Sequence, residues 1–359
     1  MSVSGPVVAL DGFGVENGFD VLAEGARRAA SDGVTVRIFG PADPLANALS
    51  GEPGLELVEV SDWITNEDDP VPSVRARPGA SVVRAVADVA QGNSGAVVSL
   101  GSTGATMAAA TFGLKRMKGV KRPALAAQVP LPGRTVLFLD VGANVEVRAL
   151  HLVQFACLGS AFMSAVRGVA VPEVGLLSVG EEKGKGRPEE IEAYERLEAL
   201  AAPSADSGGA PFRFLGNVEG NDVPDATADV VVTDGFTGNA VLKAMEGAVR
   251  RVTGAIRDSA RSNPVAAAGG LLLRPALGGL RKDLHPDTTG GALMLGLRQV
   301  AVVGHGGSGP DGVANAIRLA AASIEAEAPA RTAELLHRIG LDRRDADPAS
   351  DPAPSADIN

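Results

Sequence analysis

The sequence predicts a three-layer α/β/α fold around a mostly parallel sheet, on three observations. Short β-branched runs alternate with helical stretches along most of the chain, the βαβ pattern of a parallel sheet covered on both faces. The main strand runs hand over to helices through Gly-containing corners. With 359 residues, 45% hydrophobic content, 3% aromatics and 45 glycines, the core must be built from small aliphatic side chains, as in ordinary α/β proteins.

The elements follow in order. Val7–Leu10 reads as a first strand ending in Asp11-Gly-Phe-Gly14, ahead of a helix over Phe19–Ala30 and a strand over Val34–Phe39. Gly95–Ser99 is a strand that turns through Leu100–Gly104 into a helix starting near Thr103. Thr135–Leu139 ends in Asp140, with Val141–Asn144 after it, and Val174–Val179 leads into Gly180–Gly186. Asp229–Thr233 is a buried strand with Asp234 at its carboxyl end, then a turn over Gly235–Asn239 and an Ala/Leu/Met-rich helix. Ala301–Gly304 leads into His305-Gly-Gly-Ser308 before a helix over Val313–Ala326. Ala199–Ala210 is small and polar, a surface loop. One α/β domain is expected over residues 1–340, with a helical hairpin inserted at 247–284. The Asp/Pro/Ala/Ser-rich residues 341–359 cannot bury a core and are expected to be disordered.

Composition excludes several classes. A net charge of −10 argues against nucleic-acid binding. The single cysteine, Cys157 in HLVQFACLGS, rules out a disulfide framework and reads as a packed core thiol in a reducing cytoplasm. The N-terminus lacks a basic segment followed by a long apolar one, so no signal peptide is expected. No 18 apolar residues run together, so no membrane-spanning helix is expected. The strand-end aspartates stand singly, and no His/Cys cluster has ligand spacing, so neither a metal nor a cofactor is expected.

In an open α/β sheet, ligands bind outside the carboxyl ends of the strands, where helix N-termini attract anions. Gly101-Ser102-Thr103-Gly104 and Gly235-Phe236-Thr237-Gly238 both place a Thr-Gly pair where a strand hands over to a helix. Capping and turn chemistry alone would explain both. The alternative is that both corners face one cleft and offer donors to a phosphate or an acyl oxyanion. Asp11, Asp140 and Asp234 each end a strand and read as positioning groups. His305 opens a Gly-rich corner and reads equally as a phosphate ligand, an acid or a turn histidine.

Taken in order, SLGSTGATM (Ser99–Met107), DVGANVE (Asp140–Glu146), GEEKGKG (Gly180–Gly186), LGNVEGND (Leu215–Asp222), DGFTGNAVLKAMEG (Asp234–Gly247), GGALMLGL (Gly290–Leu297) and GHGGS (Gly304–Ser308) resemble the PlsX-type phosphate acyltransferases. That family is similar in fold to phosphotransacetylases and isocitrate-dehydrogenase-like proteins. The resemblance runs from about Val7 to about Ala330. It implies synthesis of acyl-phosphate from acyl-acyl carrier protein and inorganic phosphate, in bacterial phospholipid and fatty acid metabolism.

By the same resemblance Lys185 and Asn239 are catalytic. Phosphate and acyl contacts fall to Gly101, Ser102, Thr103, Gly104, Asn144, Thr237, Gly238 and His305. The family's first corner usually reads Asp-x-Met-Gly-Gly-Asp, whereas here it is Asp11-Gly-Phe-Gly-Val-Glu16. Ser102 stands where Asn is usual, Glu146 where Asp is usual, and Arg187 where Asn is common.

Two surface features bear on partners. The basic cluster Lys115–Arg122 could dock an acidic acyl carrier protein. Gly247–Lys282 holds seven Arg/Lys against the single acid Asp258, around an apolar run. This suits an anionic membrane surface and a homodimer contact, both of which the family links to this region. A cytoplasmic, peripherally membrane-associated enzyme follows. The competing readings are an acyl-CoA-using phosphotransacetylase-like enzyme and a non-catalytic paralogue.

Overall fold

The computed structural model describes residues 5–131, 133–202, 210–262, 265–269, 271 and 286–342. Its strands are β1 (Val7–Asp11), β2 (Thr35–Gly40), β3 (Leu55–Glu59), β4 (Ala96–Ser99), β5 (Ala124–Leu131), β6 (Arg134–Leu139), β7 (Glu173–Leu177), β8 (Arg213–Val218), β9 (Val230–Val232), β10 (Ala292–Leu295) and β11 (Val300–Val303). All of them join one sheet, in the order β3-β2-β1-β4-β11-β10-β5-β6-β9-β7-β8. The helices are α1 (Phe19–Ser31), α2 (Ala42–Leu49), α3 (Pro70–Ala76), α4 (Ser81–Ala90), α5 (Thr103–Gly113), α6 (Ala149–Arg167), α7 (Pro188–Ala201), α8 (Gly235–Ala260), α9 (Pro310–Glu325) and α10 (Ala328–Arg338).

Alternation along each strand sends side chains to two cores. Val8, Leu10, Leu137 and Leu139 pack with Leu22 of α1, Phe155 of α6 and Ile317 of α9. Ala9, Val136 and Phe138 pack on the other face with Val86 of α4, Ala109 of α5 and, at the margin, Met245 of α8. These are the three expected layers. By length and composition α6 could cross a membrane, but most of it is buried inside the protein. Cys157 on that helix is fully buried, and burial pushes its thiol up to about 12, so it is the inert core thiol expected.

Strand direction organises everything near the site. β1 to β5 and β11 run one way, and β6 to β10 run the other. The reversals fall where β10 pairs antiparallel with β11 and β5, and where β5 pairs antiparallel with β6. The register joins Ser99, Val303, Ala292, Ala127 and Phe138 in one rung, and Ala126 with Leu139 in the next. The carboxyl ends of β4 and β11 therefore meet the carboxyl end of β6 at mid-sheet, from opposite directions. Corners from both halves converge on β10 and β5, the reversal point at which such sheets bind ligands.

Three local expectations are corrected. Gly235–Asn239 is not a turn: α8 begins at Gly235, because the Asp234 side chain caps it. The first arm of the expected hairpin is the outward continuation of α8, and residues 263, 264, 270 and 272–284 of that hairpin lie outside the described residues. The tail does not begin at 341. The Leu341 N–H donates to Leu336 O at 2.9 Å, and buried Asp342 pairs with His337 and Lys118. Residues 343–359 lie outside the described residues. In the expected loop at 199–210, α7 extends through Ala201, and 203–209 are likewise outside.

Candidate active site

At the α5 corner, the Asp11 carboxylate is buried and accepts from Ser99 Oγ at 2.8 Å and Phe13 N at 3.3 Å. Burial raises its pKa, against the pull of those hydrogen bonds. Ser99 Oγ in turn accepts from Gly101 N at 3.2 Å. Ser102 caps α5, its hydroxyl accepting from Ala105 N at 3.4 Å, so its side chain serves the helix. Among the described residues nothing accepts from the N–H groups of Thr103 and Gly104. These donors sit at the positive end of the helix dipole.

The α8 corner is different. Asp140 is fully buried and accepts from Leu125 N, Gly142 N, Ala143 N, Asn144 N and Asn144 Nδ2 at 2.7–3.2 Å. Burial raises its pKa, and those N–H donors oppose the rise. Asn144 Nδ2 also donates to Pro123 O at 2.8 Å, so both amide hydrogens of Asn144 are used inside the protein. Asn144 O accepts from Gly235 N at 2.7 Å, and Asp234 Oδ1 accepts from Thr237 N at 2.9 Å. The Thr237 hydroxyl donates to Asp234 Oδ2 at 2.7 Å. Most of the anion-binding capacity expected at the start of α8 is thus spent on the protein itself. Gly238 is needed for a close approach: a Cβ there would lie 1.9 Å from Asp140 O.

Asp234 is 1% exposed. Burial raises its pKa, but the Thr237 N–H, the Thr237 hydroxyl and Arg187 outweigh it and hold the carboxyl below its ordinary value. A depressed folded-state pKa stabilises above the unfolded carboxylate pKa of about 4 and is lost as pH falls through the folded value. Asp234→Asn keeps a good helix cap and removes the charge. Its melting temperature is expected to fall below wild type near neutral pH, with the gap closing below about pH 4. A gap independent of pH would refute the charge-based account.

Between the corners lies a cavity of about 810 Å³. Thr103, Asn239, His305 and Ser308 give it polar groups from the strand-end corners. Leu125, Ala127 and Val129 of β5 and Leu242, Met245 and Val249 of α8 supply its apolar lining, and Lys243, Glu246, Arg250 and Arg257 of the same helix also border it. Asn239 is exposed, and its amide has no partner among the described residues. His305 Nδ1 accepts from Gly307 N at 3.0 Å, so the neutral ring carries its proton on Nε2 and offers a donor.

Lys185 does not line this cavity. It sits on the β7–α7 turn, anchored by Lys185 N to Glu182 O at 3.1 Å and by Asn217 Nδ2 to the same oxygen at 3.1 Å. β7 lies two strands beyond β6, about 10 Å along the sheet. The structure therefore brings together Thr103, Asn239 and His305. Gly101, Ser102, Gly104, Asn144, Thr237, Gly238, Asp11, Asp140 and Asp234 form the framework behind them.

The sequence model of the fatty acid synthesis protein family matches residues 7–331. The phosphate acyltransferase of Elusimicrobium minutum is 41% identical over 319 residues, covering 87% of this chain and 91% of that protein. The chain belongs to this family. The phosphate acyltransferase of Streptococcus pneumoniae is 37% identical over 330 residues, covering 91% of this chain and 97% of its own. Two solved structures share the fold. The EutD phosphotransacetylase from Staphylococcus aureus has a TM-score of 0.56 at 17% identity, covering 89% of this chain and 94% of its own. A branched-chain phosphotransacylase from Enterococcus faecalis has 0.57 at 16%, covering 89% and 99%.

Against the phosphate acyltransferase pattern, the altered first corner is well integrated. Phe13 stacks on Trp63 with ring centroids 4.7 Å apart and meets Phe19 edge-on at 6.0 Å. Glu16 N donates to Gly306 O at 2.9 Å, and Asn17 Nδ2 donates to Gly307 O at 3.0 Å. This corner buttresses the His305 loop. Sequence reasoning missed the wall formed by Leu242, Met245 and Val249, although their helical spacing was visible in the α8 segment. It also missed the contact of Arg187 with Asp234.

Proposed function

We infer that this chain transfers an acyl group from an acyl-carrier thioester to inorganic phosphate, releasing acyl-phosphate and the carrier thiol. The observation that carries this reading is a cavity whose lining joins anion donors to apolar side chains of β5 and α8. A phosphate oxygen attacks the thioester carbon, the tetrahedral intermediate carries an oxyanion, and its collapse breaks the C–S bond. Phosphate is already a nucleophile, so the protein's tasks are placement, charge stabilisation and exclusion of water. The Thr103 N–H group and His305 Nε2–H are the phosphate donors of this reading, and the Asn239 amide serves the oxyanion. Lys185 is the additional cation the family resemblance assigns to catalysis.

The acyl chain lies along α8. From Asn239 to Val249 is about 15 Å of helix, a long-chain dimension. Val249→Trp is expected to cut turnover of long-chain substrates about tenfold relative to short ones, read as a ratio of kcat/KM across chain lengths. An unchanged ratio would remove α8 from chain selection.

The carrier docks at Lys115–Arg122, a cluster adjoining the Asp140 corner: Lys121 N bonds Gln154 of α6, and Pro123 O bonds Asn144. Val252 and Ile256, exposed one turn apart on α8, support an apolar contact with a second copy or with an anionic membrane from the cytoplasmic side. The decisive experiment incubates the protein with phosphate, acyl-acyl carrier protein and hydroxylamine. Hydroxamate above a heat-killed control supports the reading, and none would sink it. A parallel acyl-CoA reaction separates this reading from a phosphotransacetylase-like one. The phosphate acyltransferase relatives do not favour the non-catalytic alternative.

A further inference from the structure

Lys185 and Asn239 stand on different elements, yet one side chain bridges the segments that carry them. Arg187 is the last residue before α7, two positions after Lys185. Its Nε and Nη2 donate to Glu190 Oε1 at 2.8 and 2.5 Å, and its Nη2 also donates to Asp234 Oδ2 at 2.6 Å. Its backbone N–H donates to Glu190 Oε2 at 2.8 Å. The same guanidinium thus holds the Glu190 carboxylate in the first turn of α7 and the Asp234 carboxylate that caps α8. Asn239 lies in the first turns of α8.

Gly186, between Lys185 and Arg187, packs closely against Glu190 and Ser178. Gly186 adopts φ +108°, and a Cβ there would lie 2.4 Å from Glu190 Oε2 and 2.9 Å from Ser178 Oγ. Of the acidic partners, Asp234 is 1% exposed and Glu190 is 8% exposed. An ion pair on buried carboxylates is geometrically demanding, because losing the cation strands the charges. The planar two-pronged donor of arginine suits this bridge, and a lysine ammonium does not reproduce it.

We propose that Arg187 is a positioning residue that sets the Lys185 turn against the first turn of α8, so that the lysine and Asn239 act on one reacting group. This rests on the acyl-transfer reading for its kinetic consequence but not for its structural one. Arg187→Ala is expected to lower kcat about tenfold with KM for phosphate little changed. Arg187→Lys is expected to restore only part of that loss. In a Lys185→Ala background the same change is expected to cost less than about twofold, since the placed group is already gone. Equal fold-losses in both backgrounds would overturn the proposal and reduce Arg187 to a stabilising residue.

An activity-independent arm uses hydrogen exchange on the full-length protein. Arg187→Ala is expected to speed exchange in residues 181–187 and 235–240 together. Acceleration confined to 181–187 would overturn the tie. A wild-type protein without turnover would refute the acyl-transfer reading alone, and the exchange result would still decide the tie.

Discussion

Asn239→Ala is expected to lower acyl-phosphate formation by about 10²- to 10³-fold, the effect of removing one preorganised oxyanion donor. Asn239 is exposed to the cavity, and its amide is uncommitted among the described residues, so truncation removes a donor without breaking an internal bond. Thermal stability is expected to stay near wild type, and KM for phosphate should change far less than kcat. Lys185→Ala tests the second assignment with the same assay. Lysine on an exposed turn outside the cavity must reach the reacting group from a neighbouring corner, and its loss is expected to cost about 10²-fold if it does so. Near-normal kcat in both variants would remove the catalytic assignment and leave the cavity as a binding site only.

Asp140→Ala is expected to destabilise the fold by about 3–5 kcal/mol, the range for breaking a buried hydrogen-bond network around a charge. Its oxygens satisfy four backbone N–H groups, those of Leu125, Gly142, Ala143 and Asn144, and the Asn144 amide. Buried donors left without acceptors each cost about 1–3 kcal/mol before the loop relaxes. The loop also carries Asn144 O, which fixes Gly235 N at the start of α8, so residual folded protein should lose activity as well. A urea midpoint shifted at constant slope would measure the loss. A shift equivalent to less than about 1 kcal/mol would show that the loop keeps its shape without the carboxylate.

Much of the framework is legible locally. Val7–Leu10, Thr135–Leu139 and Asp229–Thr233 are β-branched or aliphatic runs flanked by Asp and Gly, and each is a strand within two residues of the expected ends. The α8 corner was misread in one respect. Gly235 and Gly238 look like turn glycines, but neither has a positive φ. They are there because backbone from the Asp140 loop occupies the space a Cβ would need. A glycine required by a neighbour's backbone carries the same letter as one required by a turn.

Periodicity, corner residues and motif order by themselves determined the layers, the strands near the site and the family. They act over a few residues, through backbone preference and the face each side chain takes. Which corners share a site was decided by pairings such as Ser99 with Val303 and Ala292 with Ala127. These close loops of well over a hundred residues and reverse the sheet's direction at β10 and β6. That reversal unites Thr103, His305 and Asn239 around one cavity and leaves Lys185 two strands away, held in place through Arg187. No local signal encodes it, because strand order is settled by how the two cores close together rather than by any single segment.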